Sequence, residues 1–315
     1  AALGVANARQ NGSWVSTLFA GFAVGATALV RPFEGLITAV VLGFWSLAAR
    51  GRRFRLAPSA ALVVGTIATG LLDRPYNAML TGSSGEFPIM AYINKYYAPG
   101  SNDLGFGPNR GLGWSGLDPF PGHGAPDVVV NAAINTAQWN VELLAWPVGA
   151  VVLVTLMLTF NRGRRDRTDW WLITAIAAVI GAHSFYWFSG GPDFGARYWF
   201  LIIVPCCALV ARGLGLLDTS DAAAVRSGVA ARTLALLLLP AVLFVYVPWR
   251  SVGKYRHYRN MRADVRQLAR QYGFGRSLVL VRGERHPDYA SAAAYNPLDL
   301  HADKTIYAWD ASAKI

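Results

Sequence analysis

The chain has 315 residues, of which 54% are hydrophobic and only 15% charged, with a formal net charge of +11. Charges this sparse, gathered between long apolar runs, argue against an ordinary soluble domain, in which about a quarter of residues are charged. The basic excess is joined to no recognisable nucleic-acid module, so nucleic acid is excluded as a partner and the arginines are assigned to loops beside anionic lipid.

The chain opens AALGVANARQ, with no Met and no charged stretch leading into an apolar one. That start is not a signal peptide, and it predicts a fragment that has lost its N-terminal part. Seven apolar segments follow, at 14–30, 32–49, 56–72, 141–160, 170–188, 198–217 and 233–249. Each is near the ~20 residues that cross ~30 Å of hydrocarbon. The first two are separated only by the turn at Arg31, where Pro32 cannot continue a regular helix.

Arginine placement gives the direction. Arg50, Arg52, Arg53 and Arg55, then Arg162, Arg164, Arg165 and Arg167, then Arg212, Arg226 and Arg232 fall in alternate connections, which places those connections in the cytoplasm. The Arg31–Glu34 turn, the 73–140 loop, the 189–197 loop and the tail after 249 then face outward. The tail start is itself basic, which is the one feature opposing this direction.

The 73–140 loop is rich in Gly, Pro and aromatics, and short helices are expected near 87–97 and 128–139. Its aromatics suit sugar or lipid contact, or an interfacial belt. In the tail, Tyr255, Tyr258, Met261, Val265, Leu268 and Tyr272 form a helical stripe, and 277–281 and 305–309 read as strands. The expected fold class is therefore a mainly α, polytopic membrane protein. It has about seven transmembrane helices in 1–249, a long outer loop, and a small α/β C-terminal appendage in 250–315.

Most chemical motifs fail on context. Gly111-Leu-Gly113-Trp-Ser-Gly116 spells GxGxxG, but it neither follows a strand nor opens a helix. Asn11-Gly-Ser spells a glycosylation sequon on the side assigned to the cytoplasm. Cys206 and Cys207 are adjacent in an apolar run and read as small buried residues. The five histidines lack metal spacing, so no cofactor is expected from protein ligands alone, while a divalent metal stays open.

What remains is a set of ionisable groups at the outer ends of the segments: Arg31, Glu34, Asp193, Arg197 and His183. Ionisable groups at membrane depth are costly and tend to line a cavity or substrate path. Arginine suits bidentate contact with phosphate, so Arg31 and Arg197 are the candidate phosphate-binding pair. Glu34, His183, Asp193 and His123 are candidate lining residues. The competing reading is local salt bridges and snorkelling anchors. The glycines around Asp193 point to an unusual turn or a close backbone approach.

Arg31-Pro-Phe-Glu34-Gly-Leu resembles the turn between two spans of bacterial GT-C membrane glycosyltransferases, the relatives of protein O-mannosyltransferases and aminoarabinose transferases. Gly105-Phe-Gly-Pro through Pro121-Gly-His123-Gly, Gly191-Pro-Asp193-Phe-Gly-Ala-Arg197-Tyr, Asp288-Tyr-Ala-Ser and Lys304-Thr-Ile-Tyr-Ala are similar to the same group in order and sidedness. The resemblance implies transfer of a hexosyl or pentosyl group from a polyprenyl-phosphate-linked donor. The transfer would occur on the extracytoplasmic face of the bacterial inner membrane. It also implies a catalytic carboxylate in a first outer loop, which would precede Ala1, so no catalytic residue is assigned in this chain. The alternative is a transporter or flippase of a lipid-linked or small polar substrate. Against it, no internal repeat is found and the charges cluster at the outer ends.

Overall fold

The computed structural model describes residues 1–48, 56–113, 118, 120–143, 166–190, 195–217, 236, 239–256, 264–281, 296, 297, 299–301 and 303–309. The chain divides into two compact units, Ala1–Arg232 and Thr233–Ile315.

The first unit begins with four helices: α1 (Ala2–Asn11), α2 (Trp14–Val30), α3 (Pro32–Leu47) and α4 (Leu56–Gly70). Helix α2 buries Thr17, Ala20, Gly21, Val24 and Gly25, which recur at three- and four-residue steps and so share one face. That face meets Leu62 and Gly65 of α4. The contact is backbone to backbone. A methyl group on Gly65 would lie 2.5 Å from the Leu18 carbonyl oxygen, and one on Gly25 2.5 Å from the Thr69 Cβ. Small residues four apart permit this approach, a packing mode typical of helices in lipid. The opposite faces are apolar too, with Phe19, Phe44, Val64 and Ile67 exposed.

Local chemistry fixes the ends. Ser13 caps α2 by accepting from the Ser16 amide. At the far end of α3, the Arg9 guanidinium of α1 donates to the Trp45 and Ala48 carbonyls, which lack partners within the helix. Between α2 and α3 only Arg31 leaves helical geometry. Its backbone is extended (φ −145°), and Pro32 starts α3 where no amide hydrogen is needed.

Helices α5 (Asp73–Thr81), α6 (Pro88–Tyr96) and α7 (Ala125–Gln138) follow, α7 running into a π turn at Trp139–Leu143. Then come α8 (Arg167–His183), a 3-10 turn (Arg197–Ile202) and α9 (Ile203–Leu217). Asp166 and Asp169 cap α8 reciprocally, and Arg212 of α9 pairs with both. A core of Ile37, Trp139, Val179, Ala196, Trp199, Ile202 and Cys206 joins α3, α8, the 3-10 turn and α9.

The helices confirm a mainly α chain and correct the expectation of seven spans. Among the described residues one stretch, Leu56–Thr81, is long and apolar enough to cross a membrane. It comprises α4, a turn at Leu71 and Leu72, and α5, so the 56–72 segment continues nine residues into the expected outer loop. Trp14–Val30 and Pro32–Leu47 are apolar but have 17 and 16 residues. At 1.5 Å per residue they reach only about 25 Å, short of ~30 Å of hydrocarbon. The 170–188 segment is helical only to His183, and the 198–217 segment changes from 3-10 to α geometry at Ile203. Residues 144–160 of the fourth segment lie outside the described residues. Hydropathy averages a stretch without locating its breaks, and so counted segments that are not continuous membrane-length helices.

In the second unit a π turn (Val242–Tyr246), α10 (Val247–Arg250) and a second π turn (Ser251–Tyr255) run consecutively. Helix α11 (Val265–Gln271) leads to β1 (Leu278–Val281), which pairs in parallel with β2 (Ile306–Trp309), Leu278 opposite Ile306. The tail stripe is therefore helical over α11, while its 257–263 portion lies outside the described residues.

Candidate functional site

The turn at Arg31 sets the site. Because Pro32 opens α3, Glu34 falls in the helix's first turn, where the exposed amides favour a carboxylate. Glu34 is buried and Arg31 is not: their side chains are 8% and 36% exposed. Arg31 Nη1 donates to Glu34 Oε1 at 2.5 Å. The same nitrogen donates to the Arg197 carbonyl at 2.9 Å, across 166 residues of sequence.

Arg197 opens the 3-10 turn. The approach to it requires Gly190 (φ 96°), where a methyl group would lie 2.9 Å from the Tyr198 ring. The guanidinium of Arg197 lies 5.3 Å from the Tyr198 ring centre and 5.6 Å from that of Phe188. Arg31 also lies 5.3 Å from the Tyr198 ring, so both cations approach the same aromatic ring.

His183 ends α8 below this pair. Its Nδ1 is 2.9 Å from the Val179 carbonyl, which can only accept, so Nδ1 carries a proton. Nε2 is buried without a hydrogen-bond partner and lies 4.0 Å from Glu34 Oε1. Its ring packs edge-on to Phe33 at 5.1 Å and beside Tyr198 at 5.8 Å. Burial holds the His183 pKa below its ordinary value of 6.5. The hydrogen bond to Val179 and the Glu34 charge oppose that shift, while Arg31 adds to it.

His123 is adjacent to this cluster but separate from it. It forms an antiparallel bridge with Gly107, its Nε2 donates to the Ser184 carbonyl at 3.0 Å, and its ring lies 5.2 Å from Phe106. Its buried Nδ1 has no hydrogen-bond partner. His123 and His183 both line a cavity of about 10 Å³, close to the space one water needs.

Arg31, Glu34, His183 and Arg197 thus come together, His123 joins through the small cavity, and Asp193 lies outside the described residues. Arg31 pairs with Glu34, and the guanidinium of Arg197 lies against the Tyr198 ring that Arg31 also approaches, at a half-exposed rim. Such a rim suits an anion, with phosphate oxygens the natural match to guanidinium geometry. Among the described residues no three His, Cys, Asp or Glu side chains converge on a possible metal position.

No known family, characterised protein or solved structure matches this chain.

Sequence reasoning missed Tyr198, although it directly follows Arg197; an aromatic beside a candidate anion-binding arginine was the available signal. It missed Asn102 entirely. That residue's side-chain oxygen accepts from Tyr186 Oη and Trp187 Nε1, both at 2.9 Å, and so ties down the residues just after α8. It also counted Arg212 only as a loop charge. The guanidinium instead reaches Asp166 and fully buried Asp169.

Proposed function

We propose that this chain is part of a membrane glycosyltransferase that takes a sugar from a polyprenyl-phosphate-linked donor, with Arg31 and Arg197 holding the donor phosphate. One observation carries the reading: two arginines from distant parts of the sequence converge on Tyr198, and Arg31 donates to the Arg197 carbonyl. Phosphate leaving from the sugar gains negative charge, and fixed cations lower the barrier by stabilising it. Glu34 holds Arg31 in place, and His183 sits behind that pair. The apolar outer faces of α2, α3 and α4, and their glycine-mediated packing, support lipid surroundings.

The test is incorporation of labelled sugar from a polyprenyl-phosphate donor by the full-length protein in membranes. Arg197→Ala should reduce incorporation about 100-fold or more, the scale for losing one charge-stabilising donor. Arg197→Lys should retain part of the activity, because it keeps charge without the planar fork. Normal incorporation by Arg197→Ala would refute the phosphate role. Solute uptake into proteoliposomes without any donor would favour transport instead.

A further inference from the structure

The second unit contains a cleft of about 720 Å³, within the size range of small-molecule sites. Arg266, Arg270, Lys304 and Asp303 line it together with Asn296 and Tyr307. Among the described residues, Arg270 and Lys304 are thus two cations on its wall that form no ion pair.

Arg266 and Arg270 stand four residues apart on α11 and so share a face. Among the described residues neither Arg270 nor Lys304 forms an ion pair, although Asp303 lines the same cleft.

The walls are fixed by hydrogen bonds. Asn296 clamps the Tyr307 backbone, its Nδ2 donating to the Tyr307 carbonyl and its Oδ1 accepting from the Tyr307 amide, both at 2.8 Å. Thr305 Oγ1 donates to the Gly275 carbonyl at 2.7 Å, tying the loop after α11 to the start of β2. Tyr307 itself is buried. A preformed cleft with Arg270 on a helix and Lys304 at a strand entry, neither in an ion pair among the described residues, is suited to receive an anion.

We propose that this cleft binds a phosphate-bearing anion carrying two or more negative charges, either a free phosphate compound or a lipid phosphate headgroup. Arg270 and Lys304 are its main contacts and Arg266 adds to the field. The proposal stands independently of the sugar-transfer reading.

The experiment is calorimetric titration of the full chain in neutral detergent with inorganic pyrophosphate and, separately, with dihexanoyl-phosphatidic acid; dihexanoyl-phosphatidylcholine is the control. Binding should weaken with added salt. Arg270→Gln/Lys304→Gln should weaken it by about tenfold for each cation lost. Arg74→Gln, at an exposed position of α5, should leave it unchanged. Binding of both anions identifies the phosphate group itself as the ligand, and binding of phosphatidic acid alone identifies the lipid headgroup. Arg197→Gln separates this site from the first one. Loss of binding in Arg197→Gln with none in the double variant would overturn the proposal, as would absence of binding to either anion. Arg270 and Lys304 are exposed and form no ion pair among the described residues, so thermal unfolding of the double variant should match that of the unmodified chain.

Discussion

The Arg31–Glu34 pair makes an asymmetric prediction, because its two partners differ in burial. Arg31→Gln leaves the Glu34 carboxylate, whose side chain is 8% exposed, without its cation. An uncompensated buried charge costs about 3–5 kcal/mol. Glu34→Gln leaves Arg31, which is 36% exposed and can turn to water. That loss resembles a surface pair plus one charged hydrogen bond, about 1–2 kcal/mol. The two variants should therefore differ by roughly 2 kcal/mol although they break the same bond. For a chain of 315 residues that separates the unfolding midpoints by about 3 °C. Thermal unfolding of both variants in the same detergent at pH 8 measures it.

The pH dependence supplies a second check. In the unmodified chain burial holds the His183 pKa below 6.5, so the unfolded state binds the extra proton. Stability then falls as pH drops through 6.5 towards the lowered folded value. In Arg31→Gln the guanidinium that disfavours protonation is gone, and an imidazolium 4.0 Å from Glu34 can replace it. The penalty of Arg31→Gln should therefore shrink below about pH 6. Equal midpoints for the two variants at pH 8, or a penalty that grows in acid, would refute the reasoning.

Other consequences are open to measurement. Asp166 caps α8, and its carboxyl is held below the usual value chiefly by the Asp169 amide, with Arg212 also contributing. Its contribution is complete above the unfolded value near 3.8 and is lost as pH falls through the lower folded one. Asp166→Ala should cost about 1 kcal/mol near neutrality and progressively less in acid, as read from midpoints across pH 2–6. Gly21→Val should destabilise by more than about 3 kcal/mol, because a Cβ there would collide with the Leu62 carbonyl and neighbouring α4 backbone. Gly43→Ala, where a Cβ would meet nothing within 4 Å, should be neutral or stabilising by up to about 1 kcal/mol.

Local features of this chain were legible because they depend on neighbouring residues. Pro32 after Arg31 ends one helix and starts the next whatever surrounds them. The aromatic segments near 87–97 and 128–139 hold α6 and α7, and the two predicted strands pair as β1 and β2. The continuity of helices was not legible. Within 198–217 the change from 3-10 to α at Ile203 has only Pro205, in the first turn of α9, as a local sign, and mean hydropathy passes over it. The site divides in the same way. Arg31 precedes α3 and Glu34 lies in its first turn, three residues on, so their pairing is local. The approach of His183 to Glu34 depends on α8 packing against α3, and the meeting of two arginines at Tyr198 depends on the Tyr198 ring lying close against Gly190. Neither leaves a periodic trace in the sequence.

The convergence of Arg31 and Arg197 is tested most directly by binding of a short-chain polyprenyl phosphate to the full-length protein, compared with Arg31→Gln/Arg197→Gln. Two guanidinium contacts to one phosphate predict affinity about 100-fold weaker in the double variant. Equal affinity in the two proteins would contradict the account.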